Sequence, residues 1–245
     1  MAIPPNRYRP FSVATVHFGV WVVVPSMGLC GAARTPATAH NTIATRQGKL
    51  SRAASVLERV VNLCQDDRPA WFPLLAAALG ATYTAAGHID DARVLLRQGL
   101  DLAVATEIVV NQAVCSVGLA DAELQAGHLD EADCLAGRAL SLARAHGERG
   151  SEAYALHVLG EIFVRRVPIQ QTQAEDRYLQ ALDVAETLGM RPLQAHCRYS
   201  LATLFAITGR RKLARIELSK AIEQYQAMEM HLWLGPATAA LARTQ

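Results

Sequence analysis

The chain has 245 residues, a net charge of +2, 51% hydrophobic residues and only 6% aromatics. That length can bury a substantial core, and so near-neutral a balance argues against a dedicated nucleic-acid binder. A core filled mainly by alanine and leucine suits closely packed helices better than sheets, which favour β-branched and aromatic residues. The five cysteines, Cys30, Cys64, Cys115, Cys134 and Cys197, include no C-x-x-C pair. Such scatter fits reduced thiols in the cytoplasm rather than a disulfide framework.

From the N-terminus, Arg7 and Arg9 precede a stretch without formal charge from Pro10 to Ala33. This has the look of a signal peptide or anchor. Against that, His17 interrupts the apolar run, Pro25 ends it, and the small-residue sequence Ala37, Thr38, Ala39 lies far downstream of it.

A repeat begins near residue 48. The hexapeptides GHIDDA (87–92) and GHLDEA (127–132) are nearly identical, with GKLSRA (48–53) before them and GRRKLA (209–214) after. The third unit loses the glycine but keeps Ala174. The alanines at 53, 92, 132, 174 and 214 are spaced by 39, 40, 42 and 40 residues. Each unit predicts two helices. In the clearest, helix A runs from Trp71 to Ala85 and helix B from Asp90 to about Ala103, with Gly87 as the break and Asp90 as the N-cap. Helix B carries Ala92, Leu95, Leu96 and Gly99 on one face, a spacing repeated at Ala132, Leu135, Ala136 and Ala139 and at Ala214, Leu218 and Ala221. Small residues at Gly80, Gly160 and Ala202 let the paired helices approach, and Tyr83, Phe163 and Phe205 add bulk one turn on. Glu123 takes that bulky place in the second unit, which predicts either a looser unit or a local partner.

The pattern Leu79, Gly80, Tyr83, Gly87, Ala92 resembles the tetratricopeptide signature, with the excess over the usual 34 residues falling at 65–69 and 145–150. The fold expected is therefore all-α: antiparallel helix pairs of about 40 residues stacked as a tetratricopeptide-type right-handed superhelix. The strings WFPLLAAALG (71–80), AHGERGSEAYAL (145–156), LGMRPLQAHC (188–197) and MEMHLWL (228–234) resemble the C-terminal repeat regions of large bacterial signalling proteins. Those proteins pair an adenylate/guanylate cyclase or kinase domain with an ATPase module. The chain lacks a G-x-x-x-x-G-K-[ST] loop, so nothing in it is built to cradle a nucleotide phosphate. By this resemblance residues 11–24 are an orphaned helix A, separated by a Gly/Ala/Thr-rich insertion from a partner helix starting near Lys49. The organisation expected is a divergent segment at 1–48 and a repeat array at 49–245. Its helix pairs lie near 71–104, 109–145, 151–188 and 192–228, and a C-terminal helix near Pro236–Ala242 caps it. The resemblance thus implies a gene that is a fragment of a longer ancestor.

In a tetratricopeptide array the A helices line the concave groove. Counting from the signature places Leu74, Ala77, Ala81 and Thr84 there in the first unit and Asp121 in the second. The third presents Tyr154, His157, Glu161 and Arg165, and the fourth His196, Tyr199 and Thr203. These polar and aromatic groups predict a partner-binding patch, with Tyr154 and Tyr199 as anchors and Arg165 as a carboxylate contact. The chaperone-binding subset of the superfamily grips a terminal carboxylate with groove asparagines and lysines. The matching positions here are Ala81, Asp121, Glu161 and Thr203, which cannot make that grip. His157, Glu161 and His196 could in principle hold zinc, but no H-E-x-x-H motif supports this. The basic cluster Arg210, Arg211, Lys212, Arg215 and Lys220 opposes the helix macrodipole and reads as a solvated face or a contact for an acidic partner. The expected function is a protein–protein interaction scaffold holding a protein or peptide in the groove, without cofactor, nucleic acid or membrane. The alternative is a regulatory fragment docking onto separately encoded ATPase or cyclase domains, and a metal-dependent enzyme is the weakest reading.

Overall fold

The computed structural model describes residues 12–15, 21–24, 49–67 and 71–244. Strands β1 (Ser12–Thr15) and β2 (Trp21–Val24) pair antiparallel, with Ser12 opposite Val24 and Thr15 opposite Trp21. The described part of 11–24 is therefore extended, not the orphaned helix A expected there. The physical reason lies in composition: valine, threonine and tryptophan favour a pleated backbone, and β-branching costs χ1 freedom in a helix. The rest of the charge-free stretch and the insertion up to 48 lie outside the described residues.

Helices α1 (Leu50–Asp67), α2 (Phe72–Ala86), α3 (Ile89–Ala105), α4 (Val109–Ala126) and α5 (Leu129–Ala145) follow. Then come α6 (Arg149–Arg165), α7 (Gln171–Thr187), α8 (Arg191–Ile207), α9 (Arg211–Ala227) and α10 (His231–Arg243). Helix α1 starts where the partner of a preceding helix A was expected, and its last turn absorbs residues 65–67 of the first spacer. The four pairs α2/α3, α4/α5, α6/α7 and α8/α9 pack internally and on their sequence neighbours, and α2, α4, α6 and α8 also touch one another in succession. That second set of contacts puts the A helices on the inner, concave side. Helix α10 begins five residues before the expected capping helix and carries Pro236 within it.

Among the described residues one kind of turn recurs, within pairs after α2, α4 and α8 and at the junctions after α3, α5, α7 and α9, and the connection from α6 to α7 departs from it, with Arg166 extended. After α2, Gly87 takes φ +83°, its N–H donates to the Thr84 carbonyl at 3.1 Å, and the His88 N–H donates to the Tyr83 carbonyl at 2.9 Å. A left-handed residue here ties up carbonyls the helix end would otherwise orphan. Helix α3 then starts at Ile89, so Asp90 lies inside the first turn and is not the N-cap. There it still favours the positive helix end and meets Arg93 Nη1 at 3.3 Å. At the turns between pairs the left-handed position is Glu107, Gly147, Gly189 and Glu229, so two of the four carry a side chain.

The repeat alanines Ala53, Ala92, Ala132, Ala174 and Ala214 are all fully buried, as are Leu96 and Ala136. A Cβ added to Gly80 would come 2.5 Å from Leu96 Cγ, which accounts for the small residue at that crossing. One core runs from Leu57 to Ala214, and a second cluster of Ala195, Ala221, Tyr225, Met230 and Ala237 closes the C-terminal end.

Candidate functional site

The inward positions of the A helices change character along the array. At one register, Ala81 and Asp121 are buried, whereas Glu161 and Thr203 are half-buried. At the next, Ala77 and Val117 are buried and His157 and Tyr199 are half-buried. The groove therefore opens toward its C-terminal units, where the polar residues were expected.

The expected patch divides into three parts. Tyr154 is only 4% exposed and belongs to the continuous core, so it is not an accessible anchor. Counting along one helix finds the inward face but not how far the next A helix closes over it. Tyr199 is half-buried and packs on the C-terminal cluster. Its neighbour Thr203 donates its hydroxyl to the Tyr199 carbonyl at 3.0 Å.

His157, Glu161 and Ser200 form the second part. Glu161 Oε1 accepts from the Tyr178 hydroxyl at 2.8 Å and from Ser200 Oγ at 2.6 Å, and His157 Nε2 lies 3.2 Å from Ser200 Oγ. Since Ser200 gives its proton to Glu161, its oxygen is left to accept from His157 Nε2. Protons thus run from histidine to serine to carboxylate, the reverse of what a serine nucleophile needs from a base. Burial lowers the His157 pKa against the pull of the Glu161 charge, which keeps the ring neutral at pH 7. Burial, followed by the charge and hydrogen bond of Glu161, raises that of the Tyr178 phenol. His196 sits alongside with its ring 6.4 Å from that of His157, and its Nδ1 is 2.9 Å from the Tyr225 hydroxyl. With Glu161 and both histidines occupied in this way, the arrangement is a polar seam joining α6, α7, α8 and α9.

The third part is acidic and lies nearer the N-terminal units. Arg165 donates from Nη1 to the Leu124 carbonyl at 2.7 Å and from Nη2 to Gln125 Oε1 at 2.9 Å. Gln125 in turn donates from Nε2 to Asp121 Oδ1 at 3.2 Å. Arg165 is therefore committed to α4 instead of standing ready for a carboxylate. Asp121 has its pKa pushed up to about 6, first by burial and then by the Glu161 charge, against the Gln125 hydrogen bond and Arg165. It borders an open hollow of about 440 Å³ that also meets Thr84, Ile89, Gln125, Leu232 and Trp233. Residues of the first unit and of α10 thus face each other across the groove.

Sequence reasoning passed over Tyr178, Ser200 and Trp233. Tyr178 follows Ala174 by four residues, where Leu96 follows Ala92, so a phenol in place of leucine opposite Gly160 was the available signal. Glu123 has the local partners that its position demanded: Arg93 Nε at 2.9 Å, Arg97 Nη2 at 3.4 Å and His128 Nδ1 at 2.7 Å. Burial pushes its pKa up, but the hydrogen bonds from His128 and Arg93 outweigh this and hold it low. Glu123, His128 and Glu131 are, among the described residues, the triple spaced for a metal ion. Arg93 and Arg97 already supply the positive charge to both carboxylates, which disfavours a cation there. In the basic cluster, Arg210 pairs with Glu175 at 2.8 Å and stacks 4.3 Å over the Phe205 ring, and Lys220 pairs with Glu217 at 2.8 Å. No described helix is long and apolar enough to cross a membrane.

No family model matches the chain, and no curated protein matches it in sequence. Solved structures do. The chain is similar to a Signal Transduction ATPase with Numerous Domains protein with a tetratricopeptide repeat sensor from Pyrococcus horikoshii. That likeness has TM-score 0.59 and 16% identity, covering 84% of this chain and 31% of that one. BtubC from P. vanneervenii gives TM-score 0.55 and 18% identity over 78% of this chain and 82% of that one. The kinesin light chain TPR-like repeats of Podosopora anserina give 0.54 and 19% over 82% and 97%. Helix pairs in register, small residues at their crossings and these likenesses agree that the fold is that of the tetratricopeptide-repeat proteins.

Proposed function

We propose that the chain is a cytoplasmic protein-interaction scaffold that holds a segment of a partner protein in its concave groove. The observation that carries this is the opening of the groove at two registers: Ala77, Val117, Ala81 and Asp121 are buried in the first two units, and His157, Glu161, Tyr199 and Thr203 are half-buried in the next two. Solenoids bind along such concave surfaces, and a tyrosine backed by packed neighbours anchors a partner at low entropic cost. The polar seam beneath fixes side-chain positions before binding, which lessens the ordering a partner must impose. Cytoplasmic placement rests on the thiols, since Cys115 and Cys197 are buried and free and Cys134 is exposed and free.

Affinity capture with the intact chain tests the groove. Partners retained by the wild type and by a variant of the exposed Ile216, Ile216→Ala, should be lost with Tyr199→Ala, each variant first checked for helicity. Equal capture by all three overturns the groove as the site.

A second reading is regulation of a separately encoded signalling ATPase or cyclase. The likeness to a signalling ATPase whose repeats form a sensor favours it, together with the resemblance of 71–80, 145–156, 188–197 and 228–234 to such repeat regions. It requires that the captured partners include a P-loop ATPase or cyclase domain, and partners lacking both would exclude it.

A further inference from the structure

The hollow between the first two units and α10 has a composition unlike the rest of the groove. Its walls are Thr84, Ile89, Leu232 and the indole of Trp233, and Asp121 is its single titratable lining group. Asp121 is 7% exposed, and among the described residues the one hydrogen bond it receives is the 3.2 Å contact from Gln125 Nε2 to Oδ1. An ionised carboxylate has room for about four such bonds, so most of its capacity is unused beside the hollow that it borders. Gln125 cannot turn away, because Arg165 holds its carbonyl end at 2.9 Å. Arg165 is itself spent on Gln125 and the Leu124 carbonyl, so it reaches Asp121 through the glutamine, without a direct ion pair.

An acceptor-rich carboxylate and an indole ring, which also packs T-shaped with His196 at 5.1 Å, border one space and attract the same chemistry. The carboxylate provides a counter-charge, and tryptophan is the best aromatic partner for a cation. We propose that this hollow receives a cationic side chain, arginine or lysine, from a peptide bound in the groove. The reading rests on the groove function given above and adds a side-chain preference to it. A volume of about 440 Å³ holds a guanidinium with its alkyl stem, the stem lying along Ile89 and Leu232 while the head meets Asp121. Glu161 and Arg165 are the other charged groups acting on Asp121. Glu161 adds to the negative field, and Arg165 offsets part of it. A bound cation favours the ionised carboxylate that burial disfavours, so binding weakens as pH falls through the range where Asp121 takes up its proton.

The test uses the full chain and three probes: a blocked Gly-Arg-Gly tripeptide, its neutral citrulline twin, and spermidine. Binding is followed by calorimetric titration, and the Trp233 indole N–H signal in NMR locates it in the proteins that keep the tryptophan. The arginine peptide should bind saturably, the citrulline twin at least about tenfold more weakly, a difference of about 1.4 kcal/mol. Asp121→Asn should erase that difference while the variant stays folded, and Trp233→Leu should weaken the arginine peptide alone. Equal binding of the arginine and citrulline peptides overturns the proposal. So does an arginine preference that survives Asp121→Asn, or binding of spermidine without the peptide. Failure of the groove reading shows elsewhere, as protein capture indifferent to Tyr199→Ala, and leaves this titration readable.

Discussion

The Tyr178 ring lies against Gly160 so closely that a Cβ on the glycine would come 2.5 Å from Cε1. The ring is held from swinging clear, because its hydroxyl is tied to Glu161 at 2.8 Å and it lies tilted against the His157 ring at 5.7 Å. Gly160→Ala should therefore destabilise the protein by about 1–3 kcal/mol through overpacking. In the second unit the same crossing pairs Ala120 with Ala136, both fully buried. The double variant Gly160→Ala, Tyr178→Ala recreates that pairing and should lose less stability than the two single changes added together. A double-mutant cycle by urea unfolding measures the difference, and strict additivity would mean that the two residues do not compete for one space.

Much of this arrangement was legible in the chain. The alanine register, the glycines at the turns and the small residues on helix A are local facts, repeated often enough to fix one another. Tyr154 was not legible as a core residue. Its spacing with His157 and Glu161 gives the inward face correctly, yet burial depends on the neighbouring A helix, which no single-helix periodicity contains. Residues 12–15 and 21–24 misled for the opposite reason. Their apolarity suits a helix in a repeat, but their valines suit the strands they form, and hydrophobicity alone does not separate the two readings. Trp233 was not legible either, because it borders one hollow with Thr84 and Asp121, a long-range proximity that no local pattern contains.

Glu107 and Glu229 both adopt φ +55°, at the register where Gly147 and Gly189 stand in the other units. A side chain in the left-handed region carries a steric cost that glycine avoids. Glu107→Gly and Glu229→Gly should each stabilise the folded protein by about 0.5–1 kcal/mol, less the extra entropy that glycine gives the unfolded chain. A rise in the urea midpoint at constant slope is the expected signature. A fall would show that the carboxylate makes a contact worth more than the strain.

Asp121 and Glu123 are two residues apart on α4 and titrate in opposite senses. The folded pKa of Asp121 is raised from 3.8 to about 6, so between those values the unfolded chain has released a proton that the folded chain still holds. Stability from this group is complete below pH 4 and falls as pH rises to about 6, by on the order of 2–3 kcal/mol. Asp121→Asn should remove that slope and leave the protein more stable than the wild type above pH 6. Thermal melts from pH 4 to 8 check it, and parallel curves for the two proteins would count against a buried, ionising Asp121.

For Glu123 the folded pKa is lowered, so its contribution is present above the unfolded value and is lost as pH falls through the folded one. Glu123→Gln keeps the shape but discharges the acceptor shared by Arg93, Arg97 and His128. It should cost about 1–3 kcal/mol at pH 7, the two arginines being partly solvated, and the gap should close in acid. Urea unfolding at pH 7 and pH 3 gives both numbers. A gap that persists unchanged at pH 3 would assign the cost to packing.

Tyr154 and Tyr199 separate folding from binding. Tyr154 is 4% exposed inside the main core, so Tyr154→Ala opens a cavity and should cost about 3–5 kcal/mol. Tyr199 is half-buried on the groove and packs by one side on the C-terminal cluster. The fold will therefore notice Tyr199→Ala, but by less, about 1–2 kcal/mol from the apolar area given up. Partner binding should order the two variants the other way. Affinity of the folded fraction should fall about thirtyfold with Tyr199→Ala, the 2 kcal/mol of an interface hot spot, and stay near wild type with Tyr154→Ala. Titrations at a temperature where both variants are mostly folded measure this, with helicity recorded alongside. If Tyr199→Ala unfolds the protein while the folded fraction binds as before, the tyrosine serves the core and the partner grips the array elsewhere.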